Sequence, residues 1–330
     1  MLWHIYDPDT FERVGAVEKT NSMSWTRRWG SAGCFEMEVP FAPEYADLFK
    51  TERLISNGTE AGIIEYINLT RDDRGENLVC GGRFLLSYLS RRLVLGTVSA
   101  AGTAETVMKK LVSDNTTGDR AFTGLTVEAS QGLGDTVDYS GENANLLTEL
   151  ESLAALSNLN PVIEMSSGGM VFKVKQGVDR SASQSVNPRA IFSEAFDNVL
   201  SQSYSKDIAN YSNFAYAGEK TLGTATGRER RELFVSASGT DDEINTQMKT
   251  ALAEALTTEA FTVEANPYGN LKYKTDYDLG DTITVASKRW GLQVDAQITE
   301  ITESYAEDGF TLEMTLGYKD SIKKILGRML

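Results

Sequence analysis

The side chains that carry most protein chemistry are scarce in this chain, and their spacing suits few reactions. His4 is the only histidine, so any Ser-His-Asp or Cys-His arrangement has to use it. It stands in MLWHIYDPDT, where WHIY alternates as a strand does, and a structural role is the simpler reading. Cys34 and Cys80 lie far apart; with a single histidine they complete no tetrahedral zinc set and suggest no disulfide framework. GEKT (218–221) resembles a phosphate loop, but the two positions where such a loop requires glycine hold Phe214 and Glu219. In DYDLGD, Asp276, Asp278 and Asp281 cluster, yet Gly280 and Asp281 reverse the order a calcium loop needs, so the segment reads as a turn into a strand. Asp72 with Asp73 reads as a solvated turn, and Asp241 with Asp242 as a helix start. Nothing points to a facing pair of carboxylates of the kind a glycosidase uses. The expectation is therefore a protein without catalytic residues, cofactor or metal.

One cluster stands out. In SMSWTRRWGSAGCFEMEVP, Arg27 and Arg28 lie between Trp25 and Trp29. Forked guanidinium donors beside indole rings are enriched at protein interfaces. The same pattern also suits a strand face whose arginine stems cover the rings. These four residues are the candidate partner interface. Nucleic acid would use similar groups, but Lys and Arg number 32 against 47 Asp and Glu, a net charge of −15 that repels a phosphate backbone.

The elements that must position these residues are mostly strands. A length of 330 residues allows two or three domains, and 41% hydrophobic residues suffice for real cores. No apolar run is long enough to span a bilayer, and the start of the chain does not read as a secretion signal. Residues 1–97 alternate short strands with turns; in FEMEVP, Phe35, Met37 and Val39 face one way and Glu36 and Glu38 the other. FLLSYLSRR (84–92) predicts a short helix. Residues 98–178 read as an inserted α/β unit. Thr103 caps a helix with Val107, Met108, Leu111 and Val112 on one face, and Leu146, Leu147, Leu150, Leu153 and Ala154 mark a second that Pro161 should stop. Residues 179–189 are polar and aperiodic, a linker or exposed loop. From 190 to 320 the β pattern resumes around one helix near 241–257, where Thr240 and Glu243 have capping-box spacing and Ile244, Met248, Leu252 and Ala255 form a stripe. The fold class is α+β, β-rich.

IIEYINLTRDDRGENL (63–78) is echoed by ITEITESYAEDGFTL (298–312) at a constant offset of 234. Ile64 falls on Ile298, Ile67 on Ile301, Gly75 on Gly309 and Leu78 on Leu312. Any two antiparallel hairpins share alternation; the turn glycine held in register with apolar positions on both arms favours duplication.

The residues also carry a family resemblance. WTRRW with GSAGCFEMEVP, then EAGIIEYINLTRDDRGENLVCGGRFLLSYLSRR, GLGDTVDYSGENANLLTEL, GVDRSASQSVNPRAIFSEAFDNVLSQSYSKD, RRELFVSA and YDLGDTITVASKRWGLQVDAQITEITESY follow the order of a siphophage tail-hub protein family over nearly the whole chain. That family is similar in architecture to the central hub of contractile phage tails. The resemblance implies two related β-barrel domains (1–97 and 190–320) and a homotrimer whose six barrels form a pseudo-sixfold ring. Such a ring joins the distal tail or tube protein to tip or fibre proteins in the virion, after synthesis in the host cytoplasm. DNA would pass its lumen without specific binding, and an acidic lumen wall suits that passage. The basic amphipathic end LGYKDSIKKILGRML, with Ile322, Ile325, Leu326 and Met329, is expected to form a short helix at 321–330 docking on a neighbour, with host recognition and wall digestion left to other polypeptides. Two other functions are weighed: a cell-wall or carbohydrate-binding module with a groove lined by Trp25, Trp29, Trp290 and neighbouring tyrosines, and a tail-associated hydrolase.

Overall fold

Alternation decides most of the chain. In the computed structural model Phe35, Met37 and Val39 of strand Cys34–Pro40 are buried, with Glu36 and Glu38 on the opposite face. The structure describes residues 1–72, 75–166, 168–255, 258–307 and 309–317. The terminal helix expected at 321–330 and the last residues of the one expected at 241–257 lie outside them, as does the Glu243 side chain of the expected capping box. The fold is β-rich α+β.

Eight strands succeed one another across the largest sheet. Their order is Val199–Asp207, Thr258–Ala265, Gly309–Gly317, Leu292–Ala306, Ser22–Arg28, Cys34–Pro40, Gly75–Arg83 and Tyr66–Asp72. Every neighbouring pair is antiparallel. The first four strands come from the C-terminal part of the chain and the last four from the N-terminal part. Where two separate barrels were expected, the two parts share one continuous sheet, and no closed barrel forms among the described residues. The 15-residue strand Leu292–Ala306 explains the join. Its first part pairs with Thr282–Ser287, and its second lies between Gly309–Gly317 and Ser22–Arg28.

Each part buries its own core. A second sheet, ordered Arg13–Val17, Trp3–Tyr6, Leu54–Ser56, Ala61–Ile63, closes over the N-terminal strands and encloses Trp3, Ile5, Trp25, Phe35, Met37 and Ile55. In the C-terminal part Phe192, Phe261, Ile283, Ile298, Ile301 and Met314 pack together. The long strand serves both, with Ile298 and Ile301 in one core and Tyr305 against the other. The polar stretch 179–189 is a loop pinned to this part: the Arg180 N–H donates to the Thr282 carbonyl and the Ala190 N–H to that of Arg180. Between Val199–Asp207 and Thr258–Ala265 sits a small module. Its strands Phe214–Ala217, Lys220–Leu222 and Glu232–Phe234 pack on helix Asp241–Glu254 through Ala215, Ala217, Met248 and Leu252.

In chain order, the α/β elements lie between the two groups of strands. Leu93–Thr103 pairs with Thr136–Asn145, and Leu125–Val127 and Leu159–Ser166 flank Gly169–Gln176. Helix Ala104–Asn115 starts at Thr103, whose hydroxyl accepts from the Thr106 N–H. Val107, Met108, Leu111 and Val112 are buried as their spacing predicts. Helix Leu146–Ser157 ends at Asn158, which takes the left-handed conformation at φ 52°. Pro161, the expected stop, lies beyond it in Leu159–Ser166, an edge strand that tolerates the missing N–H. Residues 84–92 contain a 3-10 helix, Leu85–Arg91, whose buried leucines join the core of these helices.

Glu105 is sealed in that core. It accepts from Lys109 Nζ at 2.7 Å, the Gln131 N–H at 2.9 Å and the Leu133 N–H at 2.8 Å. Burial alone would raise its pKa, but the Leu133 N–H, Lys109 and the Gln131 N–H outweigh it and hold the carboxyl below its ordinary value. The stability this group contributes is therefore complete above the unfolded value of about 4.3 and declines as pH falls towards the lowered folded value. Glu105→Gln is expected to cost about 2 kcal/mol at pH 7 and to flatten that decline, which urea unfolding at pH 7 and pH 3.5 would read.

Candidate functional site: the junction and outer edges of the shared sheet

The join between Leu292–Ala306 and Ser22–Arg28 runs over seven pairs, from Glu300 opposite Arg28 to Ala306 opposite Ser22. On one face Arg28 Nε meets Glu300 at 2.7 Å, and the hydroxyls of Thr26 and Thr302 lie 3.1 Å apart. On the other face Trp25 and Arg27 are buried. Arg27 donates to Glu60 at 2.5 Å, Tyr273 at 2.9 Å and Asp278 at 2.5 Å. Burial would lower the Arg27 pKa, but the attraction of Glu60, Tyr273 and Asp278 raises it above its ordinary value. Glu303 accepts from the hydroxyls of Tyr273 at 2.9 Å and Tyr305 at 2.7 Å and pairs with Lys274 at 3.0 Å. A charged, hydrogen-bonded network thus lies where the two parts of the sheet meet.

The four candidate interface residues are all used within the chain. Trp25 is fully enclosed by Trp3, Phe35 and Phe84, and its Nε1 donates to Glu60 at 3.0 Å. Arg27 and Arg28 bind the carboxylates just named. Trp29 donates to Asn158 at 3.0 Å, tying the sheet to the end of helix Leu146–Ser157. Its ring lies over Gly280, where φ is +89° and an added Cβ would approach the ring to 1.9 Å. The aromatic groove expected from Trp25, Trp29 and Trp290 does not form, because Trp25 sits inside the core. Trp290 is exposed beside Phe261.

The acids of DYDLGD are similarly engaged. Asp278 pairs with Arg27, Asp281 pairs with Arg180 and accepts the Val178 N–H, and Asp276 accepts the Lys272 N–H. Among the described residues no group of three His, Cys, Asp or Glu side chains is placed to hold a metal ion. A cavity of about 330 Å³ opens beside the junction, lined by Arg27, Trp29, Phe84, Glu164, Lys175 and Asp278. Its charged groups include the pairs Arg27–Asp278 and Lys175–Glu164.

The two echoed hairpins share one register. Asp72 faces Gly75, Leu69 faces Leu78 and Ile67 faces Cys80; at the offset of 234, Ala306 faces Gly309, Glu303 faces Leu312 and Ile301 faces Met314. Both turn glycines have φ in the region that favours glycine, 139° at Gly75 and 128° at Gly309. Ile64, Ile298, Leu78, Ile301 and Leu312 are buried, and Ile67 is half-buried. Gly75→Ala and Gly309→Ala are each expected to cost about 1–3 kcal/mol, as measured by thermal unfolding.

The correspondence reaches further than the hairpins. Phe35 opposite Gly82 and Met37 opposite Cys80 match Phe261 opposite Leu316 and Val263 opposite Met314. Trp25 opposite Phe35 matches Tyr204 opposite Phe261, with ring centroids 5.6 and 5.8 Å apart. The eight-strand order is therefore one four-strand arrangement written twice. The sharpest difference is exposure: Glu303 is 2% exposed and its counterpart Leu69 is 63% exposed. Glu303 has a strand on each side, and Leu69 lies on the outer strand.

Comparison with known proteins gives this architecture a class. Residues 2–318 match the family model described as Siphovirus ReqiPepy6 Gp37-like protein, and the chain belongs to that family. The match agrees with the resemblance drawn from the sequence. No curated protein matches the chain. Among solved structures it is similar to a tail protein from Neisseria meningitidis MC58, with TM-score 0.63, 16% identity and 97% of each chain covered. It is also similar to the 43 kDa tail protein of prophage MuSo2 from Shewanella oneidensis, with TM-score 0.63, 10% identity and coverage of 97% of this chain and 98% of that one. The prophage tail protein gp18 from Listeria monocytogenes EGD-e follows with TM-score 0.54, 13% identity and coverage of 99% and 98%. At these identities the likeness is one of fold.

Proposed function

We propose that the chain is a structural, non-enzymatic phage tail protein, a hub at the tail tip or baseplate that works as a trimeric ring. The ring connects the tail tube to the distal tip or fibre proteins of the virion, and DNA passes its lumen without specific binding. The observation that carries this reading is the doubled four-strand arrangement. One chain presents two like β units side by side, so three chains present six, and a threefold object can meet a sixfold tube. Residues 1–97 and 190–320 are read as the two related β domains, 98–178 as the inserted α/β domain and 179–189 as the loop between. The net charge of −15 is consistent with a lumen that DNA crosses without capture. The family match and the tail-protein folds of the solved neighbours support the setting. The wall-binding reading loses the groove it relied on, because Trp25 lies in the core.

Mass measured across concentration, followed by particle averages, tests the proposal. A species near 109 kDa, three chains of 36.2 kDa, with a central hole is the expected result. Assembled tails holding the chain in a copy number other than a multiple of three would overturn it.

A further inference from the structure

The outer strands of the doubled sheet suggest how one copy meets the next. Tyr66–Asp72 pairs only with Gly75–Arg83, and Val199–Asp207 only with Thr258–Ala265, among the described strands. Each therefore carries an open backbone edge of the kind soluble proteins normally cover. Leu69 on one edge strand and Leu200 on the other are 63% and 58% exposed.

The partner of each edge is written inside the chain. By the matched registers, Tyr66–Asp72 is the counterpart of residues 300–306, and residues 201–207 are the counterpart of Ser22–Arg28. Those two counterparts pair with each other at the internal junction. We infer that Tyr66–Asp72 of one copy pairs antiparallel with residues 201–207 of a second copy, in the register of that junction. This rests on the ring reading and deepens it by naming the contact. Transferring the register sets Ile67 opposite Lys206, Asn68 opposite Ser205, Leu69 opposite Tyr204 and Thr70 opposite Ser203.

Side-chain parity agrees with this register. Leu69 and Tyr204 are the counterparts of Glu303 and Trp25, both buried at the junction, so the link covers an exposed leucine with a tyrosine. Asn68 with Ser205 and Thr70 with Ser203 replace Thr302 with Thr26 and Ser304 with Ser24, leaving the opposite face polar. A shift of one residue would turn Leu69 away from Tyr204. The contact is head-to-tail, since a different edge is used on each side, and such contacts generate a ring when the rotation closes.

Cysteine pairs read the register in assembled tails. Asn68→Cys with Ser205→Cys, in one full-length chain, occupies the position where Thr302 and Thr26 bring their hydroxyls to 3.1 Å. Mild oxidation is expected to give a non-reducing ladder ending at three copies. Asn68→Cys with Ser203→Cys, two residues out of register, is expected to give about tenfold less, because its Cα separation exceeds disulfide reach. Tails that contain three copies but yield no ladder, or equal ladders from both pairs, overturn the edge pairing and leave the ring standing. A bond confined to single chains overturns it as well. Tails in which the copy number is not a multiple of three overturn the ring reading and this inference with it.

Discussion

Replacing Trp25 with alanine is expected to cost about 3–5 kcal/mol, the range for deleting a large buried aromatic. The indole is fully enclosed, with the ring centroids of Phe84, Trp3 and Phe35 at 4.5, 5.2 and 5.6 Å. The surrounding rings belong to both sheets of the N-terminal part and cannot collapse into the space without moving strands. The substitution also removes the donor to Glu60 Oε2. Trp25→Phe keeps most of the volume but loses the donor and part of the ring, so it is expected to cost about 1–2 kcal/mol. Urea unfolding of the two variants separates packing from hydrogen bonding. Equal and small losses would place Trp25 at a surface, contrary to its burial.

Arg27→Met is the second large effect. Its guanidinium is the cation shared by Glu60 and Asp278, and its side chain is only 10% exposed. Removing one partner of a buried ion pair costs about 3–5 kcal/mol because the remaining charge stays behind in low dielectric. Asp278 is 42% exposed and gains water when released, while Glu60 at 23% gains less. The expected loss is therefore at the low end, about 3 kcal/mol. Adding Glu60→Gln to Arg27→Met removes the more buried of the two stranded charges and should restore part of the loss, giving a coupling that a double-mutant cycle measures. Strict additivity of the two substitutions would show that the pair contributes nothing as a pair. Because Arg27 reaches Asp278 across the sheet junction, the single variant is also expected to loosen the C-terminal part. Hydrogen exchange should be faster in Leu292–Ala306 than in the wild type.

Much of the secondary structure was legible because it depends on local spacing. The stripe Val107, Met108, Leu111, Val112 and the cap at Thr103 define a helix wherever they occur, and FEMEVP alternates whatever it packs against. Pro161 was the natural stop for the second helix by type; the actual stop, Asn158, needs only a left-handed conformation that an asparagine adopts readily. WTRRW was misleading for a related reason. Alternation says that Trp25 and Arg27 share a face of the strand, but whether that face meets solvent or a second sheet depends on Trp3–Tyr6 and Leu54–Ser56, which pack there from elsewhere in the chain. Glu60, Tyr273 and Glu303 of the junction network carried no signal, and Asp278 read only as part of the DYDLGD turn. Apart from Tyr305, two residues from Glu303, their partners lie tens to hundreds of residues away, and an isolated acid looks like any solvated one.

The sequence by itself determined a β-rich chain with two helices in a middle segment, a third helix near 241, and two matching hairpins, because these follow from periodicities of two and 3.6 residues and from turn glycines at corresponding positions. Only the tertiary structure decided that the two parts form a single sheet, since strand pairing is set by edges meeting in space. That same pairing placed Arg27 in a buried network instead of on a surface, and left Tyr66–Asp72 and Val199–Asp207 as the outer strands of that sheet among the described residues.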